Sequence, residues 1–97
     1  MSRPCCLRRI SFMPGVQYFK PAGIPLSELD EMTVTLDELE ALRLADLKGF
    51  YQEEAAKKMN VSRPTFARIV EEARRKVADA LIHGKAIRLE GGSVVMT

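Results

Sequence analysis

The chain of 97 residues has a single histidine and two cysteines, and the cysteines, Cys5 and Cys6, are neighbours. Adjacent cysteines have poor geometry for pairing with each other. A disulfide within one chain is therefore not expected, which suits a reducing compartment. With His83 as the lone imidazole, a closed zinc site lacks ligands, so neither metal nor cofactor is expected. No apolar run approaches the ~20 residues of a membrane span. Arginines interrupt the first apolar stretch, unlike a signal peptide, and a cytoplasmic location without membrane contact is the expectation. Nothing pairs a nucleophile with a base, sets two carboxylates in a cleft, or builds a glycine-rich phosphate loop. The chain is therefore not read as an enzyme. His83, beside Gly84, reads as a C-terminal helix residue and not as a catalytic base.

What is present suffices for one small domain. Its charge is unevenly spread. Residues 1–20 carry +4, residues 21–54 carry −7 and residues 55–97 carry +5. Basic ends are the footprint expected of phosphate contact. The acidic middle would face away from a polyanion, either as a solvated face or toward a protein partner.

The most informative stretch is 52–70, which reads as a helix, a tight turn and a second helix. Two helices crossing steeply need small residues at the contact, and Ala55 and Ala56 supply them. Met59, Val61, Phe66 and Ile69 fill the wedge, the last two on one stripe of the second helix. Asn60 stands where a left-handed residue is needed. Ser62 is an N-cap, and Pro64 falls in the first turn, where its missing N–H costs little. This spacing predicts a helix-turn-helix, whose use is to lay the second helix in the major groove of DNA.

Around it, residues 1–9 read as a basic arm and Arg8–Met13 as a short strand stopped at Pro14-Gly15. Tyr18 and Phe19 lie in an irregular segment, with at least one expected in the core and base stacking as the alternative. Pro25–Glu31 reads as a helical turn. Thr35 and Glu38 form a capping-box pattern, opening a helix with an apolar stripe of Leu36, Leu39, Leu42, Leu44 and Leu47 that stops at Gly49. Tyr51 takes an N-cap place that its ring would fill by packing or through its hydroxyl. The second motif helix runs from about Arg63 to Ile82 with a stripe of Phe66, Ile69, Val70, Ala73, Val77, Ala80 and Leu81, and Gly84 follows its end. Ala86–Glu90 reads as a strand, tied to Arg8–Met13. Val94-Val95-Met96 is either its hairpin partner or a loose tail. The expected organisation is an N-terminal segment 1–34, a helical domain 35–83 and a C-terminal strand and tail 84–97. The fold class is mainly α, with three to four helices and short N- and C-terminal β-strands.

Several of these stretches together resemble a known family: Tyr18-Phe19-Lys20-Pro21-Ala22-Gly23-Ile24-Pro25, Leu36-Asp37-Glu38-Leu39-Glu40-Ala41, Gln52-Glu53-Glu54-Ala55-Ala56, Val61-Ser62-Arg63-Pro64-Thr65-Phe66 and Gly84-Lys85-Ala86. The resemblance is to domain-of-unknown-function family 134, bacterial and archaeal proteins predicted to bind DNA, and it is nearly full length. The helix-turn-helix part is also similar to region 4 of bacterial sigma factors, the part that reads the −35 promoter element. No other sigma region accompanies it, so the resemblance implies a DNA-binding regulator and not a complete sigma factor.

In such motifs the start of the second helix reaches base edges. That exposes Arg63, Pro64, Thr65, Ala67 and Arg68. Either arginine suits guanine O6 and N7, and Thr65 suits a thymine methyl or a phosphate. Gln52 and Ser62 are candidate phosphate contacts. Arg75 and Lys76 would at most meet the backbone, and Arg3, Arg8 and Arg9 would follow a neighbouring groove. The expected function is sequence-specific binding of double-stranded DNA in transcription control. A homodimer is expected because one short helix reads few bases. The alternative is an adaptor docking on RNA polymerase or an enzyme complex through the acidic segment and the long second helix. RNA is less suited, because its major groove is deep and narrow.

Overall fold

The computed structural model describes residues 7–97. Arg3, Cys5 and Cys6 lie outside the described residues. Strands β1 (Arg8–Ile10), β2 (Tyr18–Phe19) and β3 (Glu31–Val34) precede three helices, α1 (Leu36–Leu42), α2 (Gln52–Met59) and α3 (Arg63–His83). Strands β4 (Ala86–Leu89) and β5 (Val94–Met96) follow. A single 3₁₀ turn, Leu26–Glu28, occupies the expected helical turn. The described chain is mainly helical with short strands.

The terminal segments fold together around the helices. β4 is the middle strand of a three-stranded sheet, antiparallel to β2 and parallel to β3. The three helices form the crossover that a parallel β3–β4 pair requires. β1 pairs not with β4, as its sequence suggested, but parallel with β5, in register Arg8↔Val94 to Ile10↔Met96. The Val94–Met96 segment is thus neither a hairpin partner of β4 nor a loose tail. Tyr18 and Phe19 are strand residues, and neither is buried: Tyr18 is half-buried and Phe19 exposed. The Tyr18 ring instead carries the Arg88 guanidinium at 4.7 Å, and its hydroxyl donates to Glu31 Oε2 at 2.7 Å. Phe19 lies on an edge strand and stays 53% exposed.

α1 opens as its capping box predicts, with Glu38 N–H donating to Thr35 Oγ1 and Thr35 N–H donating to Glu38 Oε1. Of the leucine stripe only Leu44 is on the buried face. Asp37, Glu40, Ala41 and Leu44 point inward, while Leu36, Leu39 and Leu42 are only half-buried. The reason is tertiary, because β1 and α3 bring cations against the inner face. Arg8 meets Asp37 at 2.7 Å and Lys76 meets Glu38 at 2.9 Å. After Leu42 the helix widens into a π turn, Arg43–Leu47. Lys48 N–H donates to the Arg43 carbonyl at 2.8 Å, five residues back. A π turn advances each residue by a smaller angle than an α turn, so Leu47 lags behind the face of Leu44 and emerges 77% exposed. Phe12, Leu39, Leu42 and Leu47 line a shallow apolar groove where the sequence predicted core.

The main core lies between α1, α2 and α3. Ala41, Leu44, Ala55, Ala56, Met59, Phe66, Ile69 and Val70 form one buried cluster, with Val61 packed on it. The expected wedge residues are all in it or against it. The far end of the α3 stripe departs from expectation. Ala80 is buried, but Leu81 is 74% exposed, because the sheet covers only one side of that turn.

The turn after β4 is locked to the start of α1. Leu36 N–H donates to the Gly91 carbonyl at 3.0 Å. Gly92 has φ +100°, and a Cβ there would meet Asp37 Oδ1 at 2.6 Å. Asp37 cannot retreat freely, since Arg8 and the Thr35 hydroxyl hold it. Gly92→Ala should therefore lower stability by about 1–3 kcal/mol, readable as a reduced denaturant midpoint. An unchanged midpoint would show that the turn can rearrange. Gly91→Ala lacks the close contact and serves as the matched control.

Candidate nucleic-acid interface

α2 and α3 meet through a short turn at Asn60–Ser62. Asn60 adopts φ 60°, ψ 43°, the left-handed conformation that ends α2. Ser62 Oγ accepts from the Thr65 N–H at 3.3 Å and caps α3, which Pro64 enters at its first turn. Phe66, Ile69 and Val70 turn into the core. Arg63, Pro64 and Arg68 are thereby left on the opposite, exposed face, with Ala67 and Thr65 half-buried beside them. This matches the sequence reading for Arg63, Pro64 and Arg68, while Thr65 and Ala67 are less exposed than expected.

The ion pairs decide which cations remain available. Arg8 is a half-buried strand residue held by Asp37, so it is not part of a free arm. Asp37 is nearly fully buried and requires a countercharge. Arg9, next in β1, is exposed and has no carboxylate partner among the described residues. Arg74 binds both oxygens of Asp46, at 3.0 and 2.7 Å. Arg75 binds both oxygens of Glu72, at 3.0 and 2.6 Å. Each carboxylate is held below its ordinary pKa first by its arginine's hydrogen bonds, with burial opposing. Lys76 is committed to Glu38 and to the Thr33 carbonyl. The rear of α3 is thus internally neutralised, and of the late cations Arg75 is tethered and Lys76 is enclosed.

Arg63 and Arg68 differ. Among the described residues neither has a carboxylate within ion-pair distance. Arg68 Nη2 donates only to Thr65 Oγ1, at 3.4 Å, and Thr65 Oγ1 also accepts from Ser62 Oγ at 3.0 Å. Ser62, Thr65 and Arg68 therefore form one small polar chain over the first turn of α3. Gln52, at the start of α2, is half-buried. Tyr51 holds the N-cap position but makes no cap hydrogen bond, and its ring is 85% exposed. The packed or bonded Tyr51 of the sequence reading is not found, because no element approaches the connector there.

The same accounting identifies cations that sequence reasoning did not single out. Lys48, Lys57 and Lys58 also lack carboxylate partners among the described residues, and Lys58 lies over the Phe50 ring at 4.8 Å. In sequence, Lys57 and Lys58 read as ordinary complements of a helix C-terminus, and only the absence of an ion pair distinguishes them. Five of the nine acids of the acidic middle pair within the fold. Glu31, Asp37, Glu38, Glu40 and Asp46 all pair with cations of this chain. His83 ends α3 with Nδ1 2.6 Å from Asp79 Oδ1. His83 and then Lys85 hold the Asp79 carboxyl below its usual range.

A family model described as "Protein of unknown function DUF134" matches residues 1–97. A "UPF0251 protein" of Moorella thermoacetica is 60% identical over 92 residues, covering 95% of this chain and 62% of the relative. One of Prosthecochloris aestuarii is 59% identical over 93 residues, covering 96% and 60%. One of Dehalococcoides mccartyi is 61% identical over 92 residues, covering 95% and 79%. The chain thus spans about three fifths of the first two relatives. No solved structure matches it. Among the described residues, no helix is long and apolar enough to cross a membrane.

Proposed function

The chain belongs to the family described as protein of unknown function DUF134, and we propose that it binds double-stranded DNA sequence-specifically through a helix-turn-helix similar to sigma region 4. The observation that carries this reading is the pair of unpartnered arginines, Arg63 and Arg68, on the exposed first two turns of α3. The cations farther along the same helix are spent on internal carboxylates. Such a helix offers its start, and not its length, to the groove. Arg63 and Arg68 would read guanine edges with two hydrogen bonds each. Thr65 would meet a thymine methyl or a phosphate. Ser62 and Gln52, with the free N–H groups at the two helix starts, would take phosphates. Glu71, exposed one turn beyond Arg68, would limit the footprint by repelling the backbone. Arg9 alone of the described arm residues remains available to a neighbouring groove.

The role proposed is transcription control by two copies on paired half-sites, since one helix start contacts few bases. The competing adaptor reading keeps only part of its charge argument, because five of the nine acids of residues 21–54 are paired with cations of this chain. Selection from a random double-stranded library should enrich an inverted repeat, and binding to it should weaken steeply as salt rises. No enrichment, or affinity indifferent to salt, would overturn the proposal.

A further inference from the structure

We propose a second ligand site, for a small organic anion bearing a phosphate group, on the side of the molecule where the π turn meets α2. A cavity of about 410 Å³ opens there, lined by Ser11, Arg43, Leu44, Lys48, Phe50 and Lys58, with Thr97 at its rim. Its volume falls within the range of small-molecule pockets. Three cations from three parts of the chain converge on it: Arg43 from the π turn, Lys48 from the connector and Lys58 from α2. Glu40 neutralises only Arg43, through hydrogen bonds of 2.9 Å from Nε and from Nη2. Lys48 and Lys58 have no carboxylate partner among the described residues. The lining therefore carries two uncompensated positive charges in a fold that pairs most of its others.

Two further features select the ligand class. The Lys58 ammonium lies over the face of Phe50 at 4.8 Å, which keeps it near the cavity at little entropic cost. Arg43 Nη2 donates to Ser11 Oγ at 2.6 Å, so the hydroxyl proton of Ser11 is the one that meets Glu40, at 3.1 Å. These contacts hold Arg43 and Ser11 rigid before any ligand arrives. Leu44 and Phe50 add an apolar wall that inorganic phosphate alone would not use. A dianionic head between Lys48 and Lys58 with a flat or apolar body against Phe50 satisfies both halves of the lining. A bound ligand would tie the connector to α2. The apolar wall of Leu44 and Phe50, which a duplex backbone would leave unused, favours a free organic ligand as the source of the phosphate.

Phenyl phosphate is the direct probe, titrated into the ¹⁵N-labelled full chain in phosphate-free buffer, with inorganic phosphate and phenol alongside. Saturable amide shifts are expected at Ser11, Lys48, Phe50 and Lys58, tighter for phenyl phosphate than for inorganic phosphate, with none for phenol. Lys48→Ala and Lys58→Ala should each weaken binding roughly tenfold, the effect of losing one charge-assisted contact. Lys57→Ala, on the adjacent exposed position, should not. All three side chains are at the surface, and a thermal melt confirms that each variant folds. Shifts that fail to saturate, that centre on Arg63 and Arg68, or that survive the two lysine replacements would overturn the site. The chain saturated with a duplex should still take up phenyl phosphate, and mutual exclusion would overturn the free-ligand assignment and give these lysines to the DNA backbone. Failure to bind any duplex would refute the DNA reading alone, since the phenyl phosphate titration does not depend on it.

Discussion

Replacing Arg63 and Arg68 together with alanine should weaken binding to a selected DNA site by roughly a thousandfold, taking about 2 kcal/mol for each lost guanine contact. Arg68→Ala alone should cost about 1–3 kcal/mol and blur the base preference at one position. Both side chains are exposed and free of ion pairs, so their removal leaves the fold's own electrostatics intact. The loss should therefore appear in fluorescence anisotropy on the duplex without a change in melting temperature. Arg75→Ala is the internal contrast. Its guanidinium is held by Glu72, and its removal should reduce affinity little and evenly across sequences. Equal losses at Arg75 and Arg68 would mean a non-specific cationic surface, and no loss at Arg63 and Arg68 would remove α3 from the interface.

Glu40→Ala should lower stability by about 3 kcal/mol, a large loss for one polar side chain. The carboxylate is 3% exposed and its partner Arg43 18%. Glu40 also accepts from the Ser11 N–H at 3.2 Å and the Ser11 hydroxyl at 3.1 Å. Its removal leaves a partly buried guanidinium facing no charge. For a domain of this size the loss corresponds to a fall in melting temperature of more than about 10 °C. The double variant Glu40→Leu, Arg43→Leu should recover much of it, because two apolar side chains leave no charge stranded. No recovery would mean that packing, and not the ion pair, carries the effect.

The same residue sets an acid limit. Burial pushes the Glu40 carboxyl up, but the hydrogen bonds from Arg43 and Ser11 outweigh it and hold the group below the ordinary carboxylate value. A carboxyl whose pKa is lower folded than unfolded contributes stability at neutral pH. That contribution is lost as pH falls through the unfolded carboxylate range, near about 4.3, toward the lower folded value. The wild-type melting temperature should fall across this window, and the double leucine variant should fall less.

The two-helix unit was legible because its signals are local. Small residues at 55 and 56, Asn60 in the left-handed turn, the Ser62 cap and Pro64 at the helix start act within a few residues of one another. Each appears in the structure as the sequence implied. The exposed face of α3 follows directly, since Phe66, Ile69 and Val70 leave only one other side for Arg63 and Arg68. α1 was misread for the opposite reason. Its leucines repeat at helical spacing, yet the inner face carries Asp37, Glu38 and Glu40 beside Ala41 and Leu44. No periodicity reveals that Arg8, 29 residues before Asp37, or Lys76, 38 residues after Glu38, will arrive to neutralise it. The strand partners were hidden likewise, because β1 and β5 are each three residues long and stand at opposite ends of the chain.

By itself the sequence determined the helices, the turn between α2 and α3, the caps, and which arginines start α3, since short-range sterics and capping decide these. Tertiary structure decided which charges remain. It brought β1, α3 and the π turn against the acidic segment, and among the described residues it left Lys20, Lys48, Lys57 and Lys58, like Arg63 and Arg68, without a carboxylate partner. The physical reason is the cost of burying a lone charge. Buried Asp37 and Glu38 each claim a distant cation and buried Glu40 a near one, and only the folded chain shows which cations are left over.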